Sequence, residues 1–171
     1  APAFITTNYP RNPGEYDVCY VTIWDTRPAT RRNNKFLAME NNGALGSLTI
    51  NRRTIPGSRT VGRVVPDLWQ YRTAYALSDE SPYRVYRTGD AGATFTEITG
   101  DLPAIPKRDI VGMRSNPAIL YAATDMGVFK TTNSGATWYR FQYNLPIVPV
   151  FHLRLIQGQG GDPDTLRIDT F

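Results

Sequence analysis

Five loop carboxylates are the residues of this sequence whose type suits acid–base chemistry. They lie between short apolar runs, at Asp25, Asp67, Asp79, Glu80 and Asp125. Two carboxylates about 6.5–9.5 Å apart across a cleft can hydrolyse a glycosidic bond, one as general acid and one as base for a water molecule. Asp79 and Asp125 occupy equivalent turns of an internal repeat, which favours a role within those turns. Asp25 and Asp67 fall outside the repeat pattern and remain the two candidate catalytic residues.

Aromatic side chains beside polar groups form a second set of candidates, because small-ligand sites combine apolar walls with a few polar groups. Trp69, Tyr71 and Arg72 lie in the turn before a predicted strand, outside the repeat pattern. Tyr83 ends Ser81-Pro82-Tyr83, a three-residue insertion relative to the next repeat. We predict these four residues as candidate ligand contacts, with packing as the competing role for each ring.

Metal and nucleophile chemistry has little support in the sequence. Cys19 is the only cysteine, so it cannot form an internal disulfide, and no Cys/His cluster is present for zinc. His152 is the only histidine, and a Ser–His–Asp triad would depend on it alone. Both residues lie in segments typical of strands, so we predict structural roles for them, with no metal and no cofactor.

The charge of the chain is +4, and most of the excess arginine lies in the first third. A basic patch attracts anionic glycans, nucleic acid or an acidic protein surface. Motifs of nucleic-acid-binding folds are absent, so we predict a solvated basic face and no nucleic-acid partner. No apolar run is long enough to span a membrane, and no charged segment followed by an apolar one marks a signal peptide.

Two octapeptides organise the rest of the chain. Residues 88–95 read TGDAGATF and residues 131–138 read TTNSGATW, 43 residues apart. The Asp or Asn side chain can accept hydrogen bonds from amides of its own turn, and the following glycine can take a positive φ. The second threonine restarts an extended chain that delivers an aromatic anchor. We therefore predict structural roles for ten residues: Thr88, Asp90, Gly92, Thr94, Phe95, Thr131, Asn133, Gly135, Thr137 and Trp138.

Landmarks around the octapeptides divide the chain into units of four short strands. A degraded third copy lies at Met39–Leu48, and a unit near 45 residues with four antiparallel strands is typical of a propeller blade. We predict an all-β fold of about three and a half β-propeller blades, with blades at 1–56, 57–103 and 104–146 and a half blade at 147–171. Such a set is expected to be part of a larger ring. The alternative is a closed four-blade ring whose last blade is completed by another segment.

The octapeptides and their flanks resemble the Asp-box, or bacterial neuraminidase repeat, of a β-propeller family. The string NPAILYAATDMGVFKTTNSGATW at 116–138 looks like the sortilin/Vps10-like and xyloglucanase-like branch of that family. The resemblance covers 57–171 well and 1–56 poorly, and Asn133 stands where the family pattern has Asp. It implies that the boxes are structural turns on the blade periphery, away from the central ligand face.

Function is less sharply indicated by the resemblance than fold. A sialidase site is not expected, because Arg53-Thr54-Ile55-Pro56 aligns with a structural landmark of the repeat instead of a sialidase motif. The first hypothesis is a non-catalytic module for binding or assembly in a secreted or surface-associated protein, extracellular or on the cell surface. The alternative is a piece of a glycoside hydrolase acting on a β-glucan such as xyloglucan, with an active site completed by other blades.

Partners follow from the same hypotheses. We expect the remaining propeller blades, from the same parent chain or another subunit, and also carbohydrate or protein. Peptide binding in a propeller tunnel, as in a receptor, would need a full ring.

Overall fold

The computed structural model describes residues 3–8, 18–23, 35–41, 48–55, 61–70, 72–141, 146–156, 158 and 164–170. Of the predicted site residues, Asp25 and Tyr71 lie outside these ranges. The described elements are all β-strands, joined into four antiparallel sheets that follow one another along the chain.

The first two sheets are four-stranded meanders, in which each strand pairs with the next one in sequence. The first sheet consists of Ala3–Asn8 (β1), Val18–Ile23 (β2), Lys35–Asn41 (β3) and Leu48–Thr54 (β4). The second consists of Arg63–Pro66 (β5), Ala74–Leu77 (β6), Val85–Thr88 (β7) and Thr96–Glu97 (β8).

The third sheet repeats this meander, and the fourth contains two described strands. The third sheet consists of Lys107–Gly112 (β9), Leu120–Thr124 (β10), Gly127–Thr131 (β11) and Tyr139–Arg140 (β12). The fourth is a pair of Thr165–Asp169 (β14) with His152–Ile156 (β13).

Successive sheets touch through their first and second strands. β1 contacts β5, β5 contacts β9, and β9 contacts β13, while β2, β6 and β10 add contacts to the same first strands. The first strand of each sheet therefore lies on the inner side of the arrangement, and the fourth strand lies on the outer side.

The core consists of three apolar layers, one between each pair of neighbouring sheets. Successive side chains of β6 point to opposite faces of the sheet, so this strand contributes to two apolar layers. Ala74 and Ala76 pack toward the first sheet, while Tyr75 and Leu77 pack toward the third. Since all four side chains are buried, β6 is covered on both faces, as are β9 and β10 over most of their length.

The fourth sheet is covered on one face only within the described residues. Leu153 and Leu155 of β13 pack on the third sheet, whereas the alternate positions of β13 are exposed. In β14 the exposed positions are Thr165, Arg167 and Asp169. The exposed face of this hairpin is thus mainly polar.

The predicted all-β class with four-stranded antiparallel units is confirmed by the three complete meanders. Each sheet lies between the bounds of one predicted unit, but the division into blades stays a prediction. Cys19 lies in a strand, as predicted; it is half-buried in β2, and burial raises the pKa of its thiol. In the described part of the chain, the structure holds no helix of the length and hydrophobicity that crossing a membrane requires.

Candidate functional site

Three polar residues occupy one register position on the inner strands of the second, third and fourth sheets. Arg63 and His152 are the first residues of β5 and β13, and Asp109 is the third residue of β9. Their pairing partners on the neighbouring strands are Leu77, Asp169 and Ala123, respectively. Because the inner strands neighbour one another, the three side chains meet.

Asp109 lies between the other two members of this inner cluster. One Arg63 guanidinium nitrogen, Nη2, lies 3.5 Å from Oδ1 of Asp109 and 3.3 Å from Nδ1 of His152. His152 Nδ1 is 3.6 Å from the other carboxylate oxygen, Oδ2. The Arg63 contact is a hydrogen bond when Nδ1 carries no proton, whereas the Asp109 contact is an ion pair when the ring is protonated.

Backbone amides fix the carboxylate of Asp109 in this place. The N–H of Ile110 donates to Oδ1 at 3.0 Å, and the N–H of Leu153 donates to Oδ2 at 3.1 Å. The second of these bonds joins the third sheet to the fourth. Asp109 therefore has a structural role as well as serving as the counter-ion of Arg63.

A cavity of about 650 Å³ opens beside the inner cluster, where the inner strands begin. The turn between β6 and β7 closes one side of it. Its walls carry the cationic residues Arg63, Lys107 and Arg108, the ring of His152, the carboxylate of Asp79, and the apolar or aromatic residues Leu77, Tyr83, Pro106 and Phe151. A cavity of this size is in the range of small-molecule sites.

Lys107 is a buried cation in the cavity wall. It is 5% exposed, and its Nζ donates to the Pro103 carbonyl oxygen at 2.7 Å. No carboxylate lies within salt-bridge distance of Nζ among the described residues. Burial lowers the pKa of Lys107 to about 8, because the protonated amine has lost its hydration without gaining an opposite charge.

Arg108 has its charge neutralised within the protein. Its Nε and Nη2 donate to the two oxygens of Asp125 at 2.8 and 3.0 Å, a bidentate pair. Its guanidinium also lies over the ring of Phe151 at 5.5 Å. Arg63 and Lys107 are therefore the less neutralised cations of the cavity.

Asp67, a predicted catalytic candidate, lies in a different place and is tightly held. It is 3% exposed, and Oδ1 accepts the N–H groups of Trp69 and Gln70 at 2.8 and 2.9 Å. Its Oδ2 accepts the hydroxyl of Tyr75 at 2.8 Å, and the pKa of Tyr75 is raised, first by burial and then by this carboxylate. These bonds close the β5–β6 turn, which favours a structural role for Asp67.

The predicted ligand contacts do not form one site. Trp69 and Arg72 lie in the β5–β6 turn, where Arg114 lies over the Trp69 ring at 5.4 Å. Tyr83 lies in the β6–β7 turn at the opposite end of the sheet and is the one of these residues that lines the cavity. The Arg72 carbonyl accepts the N–H of Ala91 at 2.9 Å, so this turn braces the first octapeptide.

The two octapeptides form nearly identical turns. Thr88 Oγ1 donates to Asp90 Oδ1 and accepts the N–H of Gly92, both at 2.8 Å. Thr94 donates its N–H and its hydroxyl to the two Asp90 oxygens at 2.9 and 2.7 Å. Burial by itself would raise the pKa of Asp90, but the hydrogen bonds from Thr94, Thr88 and Ala93 lower it below its ordinary value.

In the second copy an amide replaces the carboxylate. Asn133 Oδ1 accepts from the Thr131 hydroxyl and the Thr137 N–H at 2.8 and 3.0 Å. Its Nδ2 donates to Thr137 Oγ1 at 2.8 Å, so this one hydrogen bond runs in the opposite direction to that in the first copy. The glycines have φ of 84° at Gly92 and 92° at Gly135, within the positive range expected for both.

The aromatic anchors join each octapeptide to the preceding sheet. The Trp138 indole N–H lies 3.1 Å from the Ile98 carbonyl oxygen, and its backbone N–H donates to Asp101 Oδ1 at 2.6 Å. Phe95 packs on the core layer between the first and second sheets. The octapeptides therefore connect neighbouring sheets at the outer side, away from the cavity.

The sequence contained a signal for the inner cluster that residue types alone did not reveal. Arg63, Asp109 and His152 are separated by 46 and 43 residues, which is close to the 43-residue spacing of the two octapeptides. Taken singly, His152 suggested a structural strand residue and Arg63 one of many surface arginines. Aligning the first strands of the units would have placed the three together.

Comparison with known proteins supports the fold through structure alone. No family model matches the chain, and no curated protein matches it in sequence. Its structure is similar to the GH74 xyloglucanase of Xanthomonas campestris, with a TM-score of 0.53 and 13% identity over 80% of this chain. It is also similar to YCF48 bound to D1 peptide, with a TM-score of 0.50 and 15% identity over 90% of this chain.

The chain corresponds to a minor part of both proteins, 23% of the xyloglucanase and 48% of YCF48. At identities this low, the structural similarity establishes the architecture of the chain and carries no information about its chemistry. The fold is that of a β-propeller, and the inner cluster lies on the first strands of neighbouring sheets.

Proposed function

We propose that this chain is a non-catalytic β-propeller module that binds a partner, in a secreted or surface-associated protein. The observation that carries the proposal is the composition of the cavity at the inner strands. Its charged walls are mainly cationic, and among the residues that the structure describes Asp79 is the one carboxylate that lines it. Hydrolysis with inversion needs two facing carboxylates, so this cavity is better suited to binding than to glycoside cleavage.

The predicted catalytic residues add little support for an enzyme. Asp67 has both oxygens engaged by backbone N–H groups and the Tyr75 hydroxyl, in a turn remote from the cavity. A general acid or base must reach the proton that it transfers. Asp25 lies outside the described residues.

A peptide is the partner class to examine first. YCF48, which shares this fold, binds the D1 peptide, and the other neighbour is named as a xyloglucanase. Further blades, from the same parent chain or another subunit, are the second class of partner. A blade placed on the exposed face of the fourth sheet would have to accommodate the polar side chains of β13 and β14.

The deciding experiment compares binding with hydrolysis. The chain and its Asp79→Asn and Asp67→Asn variants are incubated with xyloglucan and mixed-linkage β-glucan, and released reducing ends are measured. We expect no release above a heat-denatured control. In parallel, a peptide array read with labelled chain should yield saturable binding. Turnover that disappears in Asp79→Asn would overturn the proposal.

A further inference from the structure

We propose that the cavity at the inner strands binds an organic oxyanion, with Lys107 and Arg63 as its charge partners. The inference rests on the proposed binding function and specifies the ligand chemistry of that site. A carboxylate or phosphate group would lie between the two cations, and an apolar or aromatic portion would lie against Phe151 and Tyr83. Neither residue type nor spacing in the sequence assigned such a site.

The first argument is the state of Lys107. Lys107 is 5% exposed, and its ammonium group donates to a single neutral acceptor, the Pro103 carbonyl. A buried charge without an opposite charge is unfavourable, and an anion in the adjacent cavity removes that penalty. The binding free energy of such an anion therefore includes the relief of an existing electrostatic cost.

The second argument is the availability of Arg63. Its side chain is 39% exposed, and its contacts to Asp109 and His152 both use Nη2. Among the described residues, Nε and Nη1 have no hydrogen-bond partner. A guanidinium offers donors in a fork that matches a carboxylate or phosphate.

The remaining charges around the cavity limit the charge of the ligand. Arg108 is neutralised by Asp125, and Asp109 partly neutralises Arg63. Asp79 adds one negative charge to the wall. We therefore expect a singly or doubly charged group to bind, and a polyanion to gain little from its additional charges.

The third argument is the apolar part of the wall. Leu77, Pro106 and Phe151 lie beside the cations, with Tyr83 from the turn. Such a surface favours a ligand that carries an aromatic or aliphatic group next to its charge. Inorganic phosphate, which has no such group, should bind more weakly than phenyl phosphate.

The test uses four probes on the full chain by isothermal titration calorimetry: benzoate, phenyl phosphate, inorganic phosphate and benzamide. Benzamide has the shape of benzoate without its charge. We expect benzoate and phenyl phosphate to bind at least about tenfold more tightly than benzamide, since one charge-assisted hydrogen bond contributes this much. Equal affinities for benzoate and benzamide would overturn the inference.

Two variants and a matched control assign the site. Lys107→Met keeps a long apolar chain suited to burial, and Arg63→Gln keeps a polar side chain at an exposed position. Each should weaken benzoate binding by about tenfold. Arg154→Gln removes an exposed arginine two residues beyond His152 that does not line the cavity, and should leave affinity unchanged. Equal losses in all three variants would indicate general electrostatics and refute the site.

Proton uptake gives a second measurement that does not depend on affinity. An anion beside Lys107 stabilises its charged form, so binding at pH 8 should take up protons, and binding at pH 6 should not. Titrations in buffers of different ionisation enthalpy measure this uptake, which should vanish in Lys107→Met. Uptake that persists in this variant would contradict the assignment to Lys107. Hydrolysis of a glucan would refute the proposed function and leave this result standing, so the two failures are distinguishable.

Discussion

The outer turns and the inner strands of the same blades differ in what the repeat preserves. At the outer side, the two octapeptides keep the same hydrogen-bonded pairs of residues, with one bond reversed in direction where Asn133 stands in place of Asp90. At the inner side, one register position carries Arg63, Asp109 and His152, three residues of different chemistry. The comparison indicates that the outer turns have the same structural role in the second and third sheets, whereas the inner position carries a different side chain in each sheet.

The largest loss of stability is expected at Gly135, where an outer turn makes its closest contact with the preceding sheet. A Cβ at Gly135 would lie 2.5 Å from the Ile98 carbonyl oxygen, and the backbone there has φ of 92°. Gly135→Ala should therefore lower the free energy of unfolding by about 3 kcal/mol, as strain and overpacking add. Urea denaturation gives the value.

Gly89→Ala is the matched control for this change. A Cβ at Gly89 would meet its nearest atom at 3.8 Å, and its φ is not positive. Its cost should be under about 1 kcal/mol. Similar losses in both variants would show that the close contact with the preceding blade contributes little.

The next prediction asks whether the two octapeptides are equivalent. Asp90→Ala and Asn133→Ala each remove three side-chain hydrogen bonds of a turn. Each should cost about 2 kcal/mol, with values for the two turns agreeing closely. Chemical denaturation of both variants measures this, and a cost confined to one turn would break the equivalence.

The two turns are expected to differ in how their stability depends on pH, although their alanine variants are expected to lose similar amounts of stability. Hydrogen bonds hold the pKa of Asp90 below its ordinary value, so the stabilisation is present above the unfolded-state pKa and is lost as the pH falls through the folded-state pKa. Asp90→Asn should remove this loss, and Asn133→Asp should add a second one. Free energies of unfolding measured from pH 7 down to pH 2 should diverge only in the acid range, and parallel profiles would contradict the prediction.

The smallest effect on stability is expected at the inner cluster. Arg63 and His152 are 39% and 57% exposed, and their contacts are 3.3–3.6 Å long. Arg63→Gln and His152→Gln should each change the free energy of unfolding by about 0.5 kcal/mol or less. Thermal and urea denaturation would show this. A loss of stability as large as that of Asp90→Ala would show that the inner cluster has a structural role, and would contradict the difference between outer turns and inner strands.

Most of the fold could be predicted from local sequence. Asp90 and Asn133 close their turns by hydrogen bonds within the octapeptides at 88–95 and 131–138. Each such turn joins neighbouring antiparallel strands, so the repeat predicts their order in the sheet. The predicted unit at 104–146 contains the four strands β9 to β12. Residue types do not signal the bulge between Ala123 and Thr124, where β10 pairs with β9.

The site could not be predicted in the same way, because its contacts join residues of different blades. Lys107 resembles a surface lysine in sequence, but in the structure it is buried and lines the cavity together with residues of the second and fourth sheets. Asp67 seemed free because it lies outside the repeat, but Tyr75 from the adjacent strand takes one of its oxygens. Charge and burial at these positions are decided by packing between sheets.

The polar face of β14 has a consequence for solubility. In the described part of the chain β14 pairs with β13 alone, and its outward side chains are Thr165, Arg167 and Asp169. Arg167 and Asp169 pair with each other at 3.2 Å instead of presenting an apolar row. Charged side chains on an edge strand disfavour pairing with the same strand of a second molecule. We therefore expect this hairpin to contribute little to self-association of the chain.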